Sequence, residues 1–116
     1  MDNFNIVAAE FSGLLAGGVL DQIGTFSGGS ALSATVGPTA TTQQAKELVV
    51  ALVGLGAAQG IFTINSPFSE IYTDLGANAT GQFAYKVVSV SATQSATWNW
   101  NASASFSTAI ATFRGD

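Results

Sequence analysis

The chain has no cysteine and no histidine. These two absences exclude disulfide bridges, thiolate nucleophiles, ordinary zinc sites and a histidine general base. Charge is scarce as well. Only 9% of the residues are charged, where an average soluble domain carries about 25%. Three cations, Lys46, Lys86 and Arg114, stand against seven acids, and no basic run occurs. Phosphate-backbone binding needs clustered cations, so no nucleic-acid partner is expected. The most apolar window, residues 48–58 (LVVALVGLGAA), is shorter than the roughly 18 residues that cross a bilayer and holds two glycines, so no membrane partner is expected either. The opening MDNFNIVAAEFSG has no basic stretch, and Asp2, Asn5 and Glu10 interrupt its apolar residues; it does not read as a secretory signal.

What the chain has instead is β-branched, small and hydroxylated residues. Its 116 residues suffice for one sandwich or barrel core, so residues 1–116 are expected to form a single domain. Residues 4–11 (FNIVAAEF) read as a first strand ending at Ser12-Gly13, and the Gly- and Ser-rich residues 13–30 as a surface loop. A short strand over 31–36 closes at Pro38. Ala45-Lys46-Glu47 is predicted to form one helical turn capped by Thr41 or Thr42. The run LVVALV (48–53) predicts a strand buried on both faces. Residues 61–65 and 68–75 read as strands broken near Pro67, and residues 76–81 as a turn. Residues 82–90 alternate with Phe83, Tyr85 and Val87 on one face. Residues 94–101 and 106–113 are predicted as two further strands joined by a turn. The expected fold class is all-β, an antiparallel β-sandwich of jelly-roll-like form.

No motif carries chemistry. Gly54-Leu55-Gly56 and Gly60, following a strand and preceding Asp74, mimic a dinucleotide fingerprint, but Ile61 to Pro67 leaves no room for the helix that must follow. Glu70 and Asp74 read as solvated edge carboxylates rather than an acid-base pair. Asp2, Glu10 and Asp21 are acids without a calcium-loop pattern. Ser12 has no nucleophile elbow around it. Asn78-Ala79-Thr80 and Asn101-Ala102-Ser103 match glycosylation sequons, a pattern that chance supplies in such a chain. No catalytic residue, cofactor or metal site is therefore expected.

The two tryptophans stand two apart in ATWNWNASASF, so in a strand Trp98 and Trp100 share one face. A small sandwich built largely of Ala and Val needs large side chains, which favours core or subunit-interface packing. The alternative is an exposed sugar-stacking surface formed by Tyr85, Trp98, Asn99 and Trp100.

Three pieces of the chain, VAAEFSG (7–13), AKELVVA (45–51) and ATWNW (96–100) with AIATF (109–113), resemble in order and spacing the Ser/Thr/Gly-rich β-sandwich modules of bacterial surface proteins and tailed-phage structural proteins. The V-A-E-F-S-G strand lies near the middle of such modules and near Met1 here, so the chain resembles a later half. That resemblance implies a structural virion protein, a capsid decoration or cement protein made in the host cytoplasm and working through protein-protein interfaces. A half-sandwich leaves apolar faces and strand edges to be covered by copies of itself, taken as a trimer, or by a capsid protein. Phe4, Ile6 and Phe11 of the first strand, with Trp98, Trp100 and Phe113, are the interface candidates. A carbohydrate-binding or adhesion module of a cell surface or phage fibre, with a glycan partner and an extracellular location, is the alternative.

Overall fold

The computed structural model describes residues 8–76 and 78–116. It is all-β and antiparallel, with no helix among the described residues. Six strands follow in order: β1 (Leu20–Val36), β2 (Glu47–Leu55), β3 (Phe62–Ile64), β4 (Ser69–Leu75), β5 (Thr80–Val88) and β6 (Ala96–Arg114). They form one sheet in the order β1-β6-β2-β5-β4, with β3 also paired to β6.

The long strand β6 organises the sheet. On one side it pairs with β1 from Leu20↔Phe113 to Val36↔Ala96. On the other its second half pairs with β2 and its first half with β3. Residues 96–101 and 106–113 are therefore parts of one continuous strand, not two strands joined by a turn. Ala102 to Ser105 holds no glycine or proline, and the strand continues through it with a shift in register against β1 between Ala31↔Ala104 and Ser33↔Asn99. A second correction concerns residues 13–30, of which 20–30 lie within β1 rather than in a loop. Their small side chains are what the pairing requires: a Cβ on Gly28 would lie 2.7 Å from the Phe106 ring, and one on Gly24 would lie 3.3 Å from Ile110.

One sheet face is closed. From β2 it takes Val49, Ala51, Val53 and Leu55, from β6 Trp98, Trp100, Phe106 and Ile110, and from β1 and β5 Ala34, Val36 and Ala84, all buried in one cluster with Phe68. Strand alternation places these residues together, because directly opposed residues share a face. The ring of Trp100 lies 6.0 Å from Phe106 and 6.1 Å from Phe62.

No helical turn forms at 45–47, where bends lead directly into β2. The Thr-rich run serves the sheet end instead. Thr39 N–H donates to Gln94 O (2.8 Å), and Thr42 N–H donates to Ala92 O (3.0 Å). The hydroxyl of Thr39 accepts from the Gln94 N–H, and that of Thr42 from the Ala92 N–H. Both threonines are buried by this lacing.

β2 departs from expectation on its second face. Leu48 is buried there, but Val50 is half-buried and Leu52 is 41% exposed. Among the described residues this face receives a strap, residues 8–15, whose backbone is tied to the chain end by Leu15 N–H to Arg114 O and Asp116 N–H to Gly13 O, each 3.0 Å. No strand is assigned over residues 8–11; residues 4–7 of the expected first strand lie outside the described residues.

Candidate interaction surface

The register resolves this second face into rows running across the sheet. The first is Leu20, Phe113, Leu48 and Val87, and the next is Ile23, Ala111, Val50 and Tyr85. A third holds Thr25, Ala109, Leu52, Phe83 and Tyr72. Beyond it the side chains become small and polar: Ser27, Ser107, Gly54 and Gly81, ending at Asp74.

Three rows deep and up to five strands wide, this surface is built from uncharged residues, and Lys46 borders it beside Leu48, Tyr85 and Val87. A solvated sheet face alternates with polar residues, so its apolar character is unusual. Phe11 covers part of it, its ring 5.6 Å from that of Tyr85. With Leu14, Leu48, Val50, Phe83 and Phe113 it bounds a groove of about 270 Å³. The margins stay open: Ile23 and Val87 are each 68% exposed, and Leu20 and Tyr72 about half exposed. Large contiguous apolar patches on a soluble protein mark contact sites. Among the described residues β1 and β4 are also sheet edges, each with one row of backbone groups not paired to another strand.

The residues named from the sequence separate onto different surfaces. Phe11 and Phe113 belong to the open face. Trp98 and Trp100 lie on the closed one, 0% and 6% exposed. Phe4 and Ile6 lie outside the described residues. Of the four residues of the sugar-stacking alternative, Tyr85 is on the open face, Asn99 is exposed near β3, and both indoles are buried, so the four do not share a face. The indole N–H of Trp98 is already bonded to Gln82 Oε1 (3.0 Å) and that of Trp100 to Ala31 O (2.8 Å).

Sequence reasoning missed Leu20, Ile23, Leu48, Val50, Leu52 and Tyr72. Alternation in β5 was the only local signal, and the others join it only through long-range register.

The remaining polar clusters are hydrogen-bonded within the chain. Gly54 to Gly60 spans a gap between two strands running along the same edge of β6, bridged by hydrogen bonds of Gln59 and Asn101. Glu70 Oε2 accepts from Thr73 and, at 3.4 Å, from Gln82. Asp21 accepts from Gln43 N–H (2.7 Å), Gln22 Nε2 (2.9 Å) and Arg114 (3.4 Å). Among the described residues no group of three or more acidic side chains converges as a metal site would. Comparison with protein-family models, curated proteins and solved structures finds no match.

Proposed function

We propose that this chain is a non-catalytic structural module that works by covering the open sheet face with another protein surface, and that its setting is a tailed-phage virion, as a capsid decoration or cement component. The observation that carries the reading is the apolar face of β4-β5-β2-β6-β1, which among the described residues is covered in part by Phe11 and Leu14. Burying such a face against a partner removes apolar area from water at about 25 cal/mol per Å², and standard interfaces cover about 800 Å² per partner. The virion setting draws its support from the resemblance described above and from a composition poor in charge and without cysteine or histidine. A copy of the same chain, as a trimer, and a capsid protein are the two partners that setting offers. The glycan-binding alternative needs accessible indoles, and neither tryptophan provides one.

Light scattering across a dilution series tests the association. The native chain is expected to form a defined oligomer, or to bind stoichiometrically to capsid shells lacking it. Leu52→Lys and Val87→Lys, both at exposed positions, are expected to abolish either association while leaving the thermal midpoint nearly unchanged. A native chain that stays monomeric at high concentration and ignores such shells, with lysine variants behaving identically, overturns the reading.

A further inference from the structure

At the end of the closed face, three distant parts of the chain bring two carboxyl groups together. A register shift in β1 between Leu20 and Ile23 accompanies the inward placement of Asp21, whose side chain is fully buried. Glu47 opens β2 opposite Arg114 of β6 and is 1% exposed. Among the described residues neither Glu47 oxygen meets a hydrogen-bond donor. An ionised carboxylate so placed is costly, because burial removes its hydration without replacement.

The surrounding groups explain why Glu47 and Asp21 differ. Asp21 collects the donors: Gln43 N–H, Gln22 Nε2 and Arg114. Arg114 also donates to Gly18 O (2.5 Å) and Gln43 Oε1 (2.6 Å). Lys46 is turned outward to Asp116 O (2.8 Å), and Lys86 of β5 lies over the Phe68 ring, 4.7 Å from its centroid. No cation therefore pairs with Glu47 among the described residues.

We propose that Glu47 and Asp21 form a proton-sharing clasp that pins the first half of β1 to the β2–β6 pair and releases it when the shared proton leaves. In the closed form Glu47 holds the proton and donates it to the Asp21 carboxylate, supplying the hydrogen bond that the Glu47 oxygens lack. On release the proton passes to water, and two carboxylates then face a single guanidinium.

The energetics agree with the geometry. Burial, the larger cause, and the neighbouring Asp21 carboxyl push Glu47 up to about 7. An acid whose folded value is raised holds more protons folded than unfolded. Its contribution to stability is complete below the ordinary value of 4.5 and is lost progressively as pH rises through 7.

The test follows the native chain by thermal unfolding and by hydrogen exchange from pH 5 to 8, with exchange rates corrected for their intrinsic pH dependence. Gln22 N–H, which donates to Thr112 Oγ1 (3.0 Å), and Gln43 N–H report the clasp. Their protection is expected to fall roughly ten- to a hundredfold across this range, with a falling thermal midpoint. Glu47→Gln carries a permanent donor toward Asp21 and is expected to remove both trends. Parallel profiles for the native chain and E47Q overturn the proposal. Should E47Q not fold, the carboxyl carbon resonance of Glu47 in the native chain decides: a midpoint near 7 supports the clasp, and one near 4.5 sinks it.

Discussion

The indole N–H of Trp98 on β6 and the side-chain oxygen of Gln82 on β5 lie 3.0 Å apart with both residues buried. The Gln82 amide nitrogen continues the chain to Thr73 Oγ1 on β4 at 2.8 Å. A polar thread thus crosses the closed face from the central strand to the edge. Gln82→Leu should cost about 1–3 kcal/mol, because it strands a buried N–H, whereas the Q82L/W98F double variant removes both partners. Denaturant unfolding of the four-member cycle measures the coupling, expected at roughly 1 kcal/mol; simple additivity would show that the bond contributes nothing specific.

Gln59 does for the β2–β3 gap what a strand backbone would do. Its Oε1 accepts from the N–H groups of Asn101 (3.2 Å) and Ala102 (2.8 Å), and its Nε2 donates to Ala102 O (2.7 Å). Asn101 Oδ1 answers by accepting from Gly60 and Ile61. Gln59→Ala should destabilise the chain by about 1–3 kcal/mol and accelerate exchange at Asn101 and Ala102 before other β6 amides. Unchanged exchange at those two amides would show that the bridge is dispensable.

These bridges mark the limit of what could be read in advance. Residues 48–53, 68–75 and 82–90 were legible as strands because β-branched and aromatic residues alternate or run continuously there. Residues 20–30 of β1 were not, because Gly24, Gly28 and Gly29 look like loop residues, although Gly24 and Gly28 make room for Ile110 and Phe106; its last stretch, 31–36, was. The burial of both tryptophans followed from the need for bulk among alanines. The open face could be seen in β5 alone, since its rows are joined by register between strands tens of residues apart. The Asp21–Glu47 pair left no local trace, as the acids stand 26 positions apart with nothing in sequence to bring them together.

Gly37 sits at φ +96°, and a Cβ there would lie 2.6 Å from the Gln94 carbonyl oxygen. Backbone conformation and crowding both exclude a side chain. Gly37→Ala should therefore cost on the order of 2 kcal/mol or more, read as a lowered denaturant midpoint. It should also weaken the lacing of Thr39 and Thr42 to residues 91–95, visible as faster exchange at their N–H groups. A midpoint equal to that of the native chain would mean that the segment re-routes at little cost.

The acid limb of stability should belong to Asp21. Burial alone would raise its carboxyl, but the hydrogen bonds from Glu47, Gln43 and Gln22 and the charge of Arg114 together hold it below its ordinary 3.8. A depressed folded value means that the unfolded chain binds the proton more readily. The Asp21 contribution is therefore complete above 3.8 and lost as pH falls through the lower folded value. Combined with the opposite slope from Glu47, this places the stability maximum between the two losses, near pH 4 to 5, more acidic than is usual for a soluble domain. Asp21→Asn keeps the size of the side chain and removes the titration. Its stability should be lower than that of the native chain at pH 5 but nearly level from pH 4 down to 2, where the native chain should lose stability steadily. Thermal unfolding at half-unit steps over that range separates the cases, and an acid slope that survives in D21N would assign the loss to other carboxylates.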